Sequence, residues 1–234
     1  MMSHPVRVAT FVSTTLLCLA LVIAAISSGC GEPPPLDTSL LTSEPCEPPC
    51  WQGLTPGVST LQEVNEFVRT SGFVNPQTLF RSGVYRGGER VGLSIEWGSA
   101  AGRGRGYNDF IVESGVLKYI IIYPDYDLSL ERLFERYGPP EKYVANLRGV
   151  ERRWVEVTLY YPTHGFTVEL VRRYDDTTLT LKPESRVASV WYFRAAPLER
   201  FLELGCEAGI YGGTPDDWLE SLRDWPGYGP IPLD

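Results

Sequence analysis

The sequence predicts an α+β fold made of two similar units, each with one helix followed by about four antiparallel strands, and completed by C-terminal helices. Capped helical patterns are followed by runs of strand-forming residues that Gly, Pro, Asn and Asp interrupt. The same order of elements occurs twice, at an offset of roughly seventy residues. We therefore expect a first unit at residues 46–125 and a second at residues 126–234.

The first unit begins with a short amphipathic helix. Ser59 and Gln62 have the spacing of a capping box, and Gly72 marks the end of the helix. The apolar positions that share one face of this helix are Leu61, Val64, Phe67 and Val68. Candidate strands follow at residues 78–85, 90–97, 108–113 and 116–123. Ser114 and Gly115 predict a tight turn between the last two strands.

The second unit repeats this order. Asp127 or Ser129 can cap its helix, and Gly138 and Pro139 end it. The apolar face of this helix carries Leu130, Leu133, Phe134 and Tyr137. Strands are predicted at residues 153–161, 166–173, 177–182 and 187–193, with Val155, Val157, Leu159 and Tyr161 on one face. The chain then predicts a helix at residues 198–204 and a last helix that Thr214 caps.

Residues 1–29 have the three parts of a secretory signal. Arg7 is followed by an uncharged, mostly apolar run at residues 8–26, and small residues 27–29 precede Cys30. A cysteine directly after small residues resembles the lipobox of bacterial lipoproteins. The resemblance implies a signal peptide that is cut before Cys30, whose sulfur then carries a lipid anchor with chains such as palmitate. The alternative is an uncleaved transmembrane anchor.

Both interpretations place the rest of the chain outside the cytoplasm, held at the cell membrane. The proline-rich stretch at residues 30–45 predicts an extended tether from which little enters a core. Loss of residues 1–29 removes one positive charge, Arg7, and takes the formal net charge from −8 to −9. This acidic balance disfavours nucleic acid as a partner, because binding to phosphates requires clustered cations.

Three cysteines remain for disulfide bonds: Cys46, Cys50 and Cys206. Residues before proline prefer extended backbone, so the CEPPC segment favours a bond from one of its cysteines to Cys206, with Trp51 over the sulfurs. A local bond between Cys46 and Cys50, closed by a cis proline, stays open. The spacing of these cysteines and His164 matches no familiar zinc site, and a Cys-x-x-Cys redox motif is absent.

Catalytic candidates are few. The sequence has two histidines, of which His4 leaves with the signal, and His164 lies in a predicted turn. Glu156 and Glu169 could lie on one sheet face as paired carboxylates. The glycine-rich stretch at residues 98–106 lacks the Lys-Ser/Thr of a phosphate-binding loop. The sequence therefore predicts no catalytic residue, no metal site and no cofactor.

Two segments carry a family resemblance. GLTPGVSTLQEV, followed by strands, resembles the SmpA/OmlA-type outer-membrane assembly lipoproteins, and LSLERLFERYGPPE resembles the helix end of a second such unit. Tandem copies of this unit are similar to the β-lactamase inhibitor protein fold. The chain also resembles uncharacterised extracytoplasmic bacterial lipoproteins with a PCW segment after the tether. These resemblances imply binding or assembly and supply no catalytic residue.

The predicted function is therefore a non-catalytic binding or envelope-assembly module with a protein partner in the cell envelope. We expect it to act through an exposed sheet face, opposite the core, that carries Trp154, Tyr160 and Tyr192. The alternative is an extracytoplasmic hydrolase that uses carboxylates or a bound metal, for which a pocket with converging acids is expected. A third possibility is a purely structural spacer.

Overall fold

One large antiparallel sheet organises the computed structural model, which describes residues 34–102, 106–148, 154–173 and 179–231. The helices are α1 (Ser39–Thr42), α2 (Leu61–Thr70), α3 (Leu130–Tyr137), α4 (Leu198–Glu207) and α5 (Pro215–Ser221). The strands are β1 (Val74–Arg86), β2 (Glu89–Ser99), β3 (Asn108–Glu113), β4 (Val116–Ile122), β5 (Lys142–Arg148), β6 (Trp154–Tyr161), β7 (Phe166–Arg173), β8 (Leu179–Leu181), β9 (Ser189–Tyr192) and β10 (Gly229–Ile231).

The sheet has eight strands in the order β1-β2-β3-β4-β9-β7-β6-β5, and β8 pairs separately with β10. The predicted α+β class is therefore confirmed. The division into two four-stranded units is not confirmed, because β9 joins the strands into a continuous sheet. Trp191 of β9 lies opposite Ile121 of β4 on one side and Thr167 of β7 on the other.

Three of the described helices, α2, α3 and α5, begin at a capping side chain. Thr60 caps α2, one residue after the predicted position, and its hydroxyl accepts from the Glu63 backbone N–H while the Glu63 side chain accepts from the Thr60 N–H. Ser129 caps α3, and Gly138 follows it with φ +73°. Thr214 caps α5 as predicted.

One face of the sheet, called here the first face, packs against α1, α2 and α3. The alternation predicted for β6 is confirmed, since Val155, Val157, Leu159 and Tyr161 all point into this core. Trp51 lies at its centre, fully buried. The rings around Trp51, with centroids 5.2–6.2 Å away, belong to Phe67, Phe73, Trp97 and Phe110.

The opposite, second face is covered in part by α4 and α5. Its apolar cluster is smaller and includes Val144 and Tyr160 of the sheet, Phe193, and residues of α4 and the following turn. Gly205 of α4 lies against the ring of Tyr211, where an added Cβ would come within 2.1 Å of the ring. The two C-terminal helices therefore hold Tyr211 against the sheet.

The part of the predicted tether at residues 35–45 packs against the first face. Leu40 of α1 is only 3% exposed and belongs to the core. Asp37 accepts a hydrogen bond from the Trp51 indole N–H at 2.6 Å and another from the Gln52 side chain at 3.0 Å. These contacts correct the expectation that little of residues 30–45 enters a core, because a buried carboxylate and a leucine fix the segment.

The disulfide joins Cys46 to Cys50, whose Cα atoms are 5.7 Å apart, and Cys206 is a free thiol. The favoured bond to Cys206 is therefore wrong, and the local alternative holds. The Pro48–Pro49 peptide within this loop is cis. Cys206 lies on α4 at the second face, whereas Trp51, next to Cys50, lies in the first-face core.

The predicted signal at residues 1–29 and the lipidation site Cys30 lie outside the described residues. Within the described part of the chain, none of the helices has both the length and the apolar character that a bilayer crossing requires.

Candidate functional site

A cleft of about 350 Å³ lies where α4 and α5 leave the second face uncovered. The strands β6, β7 and β9 form its floor, and the α4–α5 turn with α5 forms one wall. We call it the acidic aromatic cleft. It is lined by Tyr123, Glu156, Thr158, Tyr160, Thr167, Glu169, Val171, Ala188, Ser189, Trp191, Ile210, Tyr211 and Trp218.

Strand pairing brings the two glutamates of the cleft together. Thr158 lies opposite Glu169, and Glu156 lies opposite Val171, so Glu156 and Glu169 are diagonal neighbours on adjacent strands. Diagonal neighbours on one face of an antiparallel pair are within reach of the same ligand. The expectation that these carboxylates share a sheet face is confirmed. Both glutamates also interact with further groups of the chain.

The floor orients its tryptophan through a short chain of hydrogen bonds. The Ser189 hydroxyl donates to Glu169 at 2.6 Å and accepts from the Trp191 indole N–H at 3.1 Å. The Trp191 ring also stacks on Tyr119, with centroids 6.0 Å apart and planes at 16°. These contacts fix the direction in which a half-buried indole faces the cleft.

The wall of the cleft is aromatic. The rings of Tyr211 and Trp218 lie 4.8 Å apart, and Trp218 donates its indole N–H to the Gly212 carbonyl at 2.6 Å. Tyr160 lies beneath Tyr211, with ring centroids 6.2 Å apart. The hydroxyls of Tyr160 and Tyr211 are buried and make no hydrogen bond of good geometry. Burial raises the pKa of both phenols well above the ordinary value, so both are protonated at neutral pH.

Carboxylates lie in the cleft and near it. Burial raises the pKa of Tyr123, and the charges of Glu169, Asp109 and Glu156 raise it further. Burial also raises the pKa of Asp109 to about 6, and nearby Glu96 adds to this rise although Ser94 donates to Asp109 at 2.9 Å. None of the described lining residues is Lys or Arg.

A second, smaller cavity of about 200 Å³ lies beside α4 on the β1–β4 half of the sheet. Arg86 and Glu113 form an ion pair across it at 2.5 Å, and Lys118, Arg194 and Glu207 complete its charged lining. Its charges of opposite sign largely compensate one another. The acidic aromatic cleft has the larger volume and convergent rings, and it is therefore the stronger candidate site.

The predicted binding face of Trp154, Tyr160 and Tyr192 does not form. Trp154 is 47% exposed, but Tyr160 is fully buried on the second face and Tyr192 is 2% exposed on the first face. The prediction is wrong because β6 and β9 place Tyr160 and Tyr192 on opposite faces and because helices cover both faces. Tyr160 nevertheless borders the cleft.

The remaining candidates stay apart from the cleft. His164 is exposed in a 3₁₀ turn at Pro162–His164, where its ring contacts Tyr137 at 5.1 Å. In the described part of the chain, no three His, Cys, Asp or Glu side chains come together as a metal site would require. The cleft residues Trp191, Tyr211 and Trp218 were not predicted from the sequence. Alternation along 187–193 places the Trp191 side chain on the other face of the sheet from Val190 and Tyr192. No local pattern in the sequence places Tyr211 and Trp218 over β6.

Comparison with protein-family models, with curated proteins and with solved structures finds no significant match for this chain.

Proposed function

We propose that this chain is a lipid-anchored extracytoplasmic protein that binds a ligand rather than catalysing a reaction, and that the acidic aromatic cleft is its binding site. The cleft itself carries the proposal. It combines a volume of about 350 Å³, convergent rings and two carboxylates, which is the composition of a small-ligand site. The side chains that face it are held by mutual contacts before any ligand arrives, which reduces the cost of ordering on binding.

The anchoring part of the proposal rests on the order of residues at the start of the chain. A basic residue, an uncharged apolar run and small residues before Cys30 are typical of a lipoprotein signal. The described part of the chain begins at Pro34, four positions after Cys30. Four residues can reach at most about 14 Å. A diacylglycerol on Cys30 would therefore hold the domain close to the bilayer, with the envelope as its place of action.

The same proposal includes a two-unit organisation within the continuous sheet. The helix α2 precedes β1–β4, and the helix α3 precedes β5, β6, β7 and β9, so each half supplies one helix and four strands. This arrangement is the one expected of tandem helix-plus-sheet units such as those of envelope-assembly lipoproteins. It supports a role in binding or assembly.

A carboxylate-based hydrolase is the second candidate. Glu156 and Glu169 are diagonal neighbours in one cleft, and paired carboxylates can act as general acid and base. Binding is favoured over hydrolysis because Glu169 accepts a 2.6 Å hydrogen bond from Ser189 and thereby orients Trp191, a role in holding the cleft.

The experiment that tests the anchor compares the full chain with its Cys30→Ser variant in bacterial cells fed radiolabelled palmitate. The proposal predicts label in the membrane fraction for the full chain and none for the variant. Absence of label in the full chain, or its recovery in the cytosol, would contradict the anchor. The test of the cleft compares two variants, Trp218→Ala inside the cleft and Trp154→Ala outside it. The envelope ligands that each variant retains are identified by mass spectrometry. The proposal predicts that Trp218→Ala loses ligands that Trp154→Ala still retains.

A further inference from the structure

We propose that one end of the β1–β4 half of the sheet rests against the surface of the bilayer. This surface, called here the uncharged end, consists of residues 35–36, 70–76, 97–102 and 106–108. The inference rests on the anchored location in the proposed function, and it names the part of the chain that contacts the membrane.

Strand pairing brings these segments together. Val74 of β1 lies opposite Ser99 of β2, and Trp97 of β2 lies opposite Asn108 of β3. The N-terminal segment joins them, because Asp37 lines the same small cavity as Ser99 and Asn108. The four segments therefore lie at one end of the sheet.

The uncharged end presents apolar side chains to its surroundings. Leu36 is 42% exposed and Tyr107 is 60% exposed. Among the described residues of the four segments, none is Asp, Glu, Lys or Arg. Two carboxylates lie beside them, but Asp37 is buried and the half-buried Asp125 accepts a hydrogen bond from the Ser99 hydroxyl. Such a surface can lie at the headgroup level of a bilayer without the cost of removing an ion from water.

The other end of the same strands, called here the charged end, has the opposite character. It carries Arg86, Glu89, Arg90 and Glu113, where β1 ends, β2 begins and β3 ends. The strand β1 has 13 residues and therefore spans about 40 Å between the two ends. Contact of the charged end with a bilayer would require the desolvation of several ions, which disfavours it.

The anchor favours the same orientation. Pro35 is five positions after Cys30, and five residues can reach at most about 18 Å. Pro35 packs on Gly72 of the uncharged end, where an added Cβ would lie 3.3 Å from the proline ring. A lipid on Cys30 therefore holds this end near the bilayer, whereas the charged end lies farther away than the tether can reach.

The test places a nitrobenzoxadiazole dye at two matched positions. Tyr107→Cys and Tyr85→Cys, each combined with Cys206→Ser, place the dye on the uncharged end and on the charged end, where the natural tyrosines are 60% and 63% exposed. The lipidated full chain is reconstituted in phosphatidylcholine vesicles with and without phosphatidylcholine that carries a nitroxide near its headgroup. We expect the nitroxide lipid to lower the emission at position 107 at least about twofold, and at position 85 by less than about a tenth.

An added charge distinguishes contact with lipid from mere proximity to it. Leu36→Glu should reduce the quenching at position 107 at least about twofold, because contact would take a carboxylate out of water. The control is Val58→Glu, which adds the same charge at a residue that is 72% exposed and follows Gly57, whose N–H donates to Leu117 near the charged end. It should leave the quenching unchanged. Urea unfolding shows whether each variant is folded.

Equal quenching at the two positions, quenching at position 85 alone, or no quenching at either would overturn the inference, as would an equal effect of Val58→Glu. Protection of the dye at position 107 from an aqueous quencher, without quenching by the nitroxide lipid, would assign the uncharged end to a protein neighbour and would also overturn it. The palmitate experiment distinguishes these failures from failure of the proposed function, because the full chain would still carry the lipid label.

Discussion

The two faces of the sheet differ in how they use aromatic residues. On the first face, Trp51 is fully buried among four other rings, and its indole N–H is satisfied by Asp37. On the second face, Trp191 and Trp218 are half buried, carboxylates lie beside them, and two buried tyrosine hydroxyls make no hydrogen bond of good geometry. The first face stabilises the fold through close apolar packing. The second face keeps polar groups that reduce stability and can bind a ligand.

The largest expected effect comes from Trp51→Ala. Removing an indole at the centre of the first-face core leaves a cavity and removes one of the hydrogen-bond donors to Asp37, so we expect a loss of about 3–5 kcal/mol in the free energy of unfolding. Urea unfolding followed by far-UV circular dichroism measures this loss.

The matched variant on the second face is Trp218→Ala. This side chain on α5 is only partly buried, so we expect a loss of less than about 1.5 kcal/mol. If Trp218→Ala costs as much as Trp51→Ala, the division between a stabilising face and a ligand-binding face is wrong.

The sequence predicted the parts of this comparison that depend on local signals. The caps at Ser129 and Thr214 and the alternation in β6 agree with the structure because they depend on neighbouring residues. It did not predict that Asp37 reaches Trp51, fourteen positions away, or that β9 lies between β4 and β7. Both depend on tertiary pairing that leaves no periodic signal.

The candidate site follows the same rule. The paired position of Glu156 and Glu169 could be predicted, because strand alternation alone puts both on one face. The aromatic wall could not be predicted, because Tyr211 reaches β6 only through the packing of its ring on Gly205 of α4. Tyr160 was assigned to an exposed face because no helix was expected to cover it.

The next prediction concerns the disulfide at the N-terminal end of the first face. The Cys46–Cys50 disulfide closes a very short loop, so the double variant Cys46→Ser/Cys50→Ser should lose about 2 kcal/mol of unfolding free energy in the loop-entropy model. A bond to Cys206 would close a loop longer than 150 residues and would contribute about 5 kcal/mol in the same model. Urea unfolding of the variant against the oxidised chain measures the difference, and peptide mapping without reduction should find the 46–50 bond. Cys206→Ser is the control and should leave the peptide map unchanged.

A further prediction tests how the ionisation of Asp109, on the second face, affects the stability of the fold. Asp109 has a folded-state pKa of about 6, above the ordinary value, because burial and Glu96 oppose its ionisation. The folded state therefore holds this proton more tightly than the unfolded state, and the contribution of Asp109 to stability falls as the pH rises from about 4 to about 6. Asp109→Asn removes the charge and keeps an acceptor for Ser94.

We expect Asp109→Asn to be more stable than the natural chain by about 1–2 kcal/mol at pH 7. This free energy is smaller than the full pKa shift of Asp109 would give, because the residue is only partly buried. The difference should shrink as the pH is lowered through 6 toward 4. Unfolding in urea at several pH values measures it. A difference that stays constant with pH would mean that Asp109 titrates as an ordinary aspartate.

The smallest effect is expected from Trp154→Ala, which tests whether exposure alone makes an aromatic residue functional. Trp154 is 47% exposed at the start of β6 and lies on the second face outside the acidic aromatic cleft. Because scattered apolar residues are common on protein surfaces, we expect a change in unfolding free energy below about 1 kcal/mol and no change in the retention of envelope ligands. Urea unfolding and mass spectrometry of the retained ligands measure the two quantities on the same variant. A clear loss of retention would move the binding surface from the cleft to the exposed end of β6, and the contrast between the two faces would then depend on strand ends rather than on the wall built by α4 and α5.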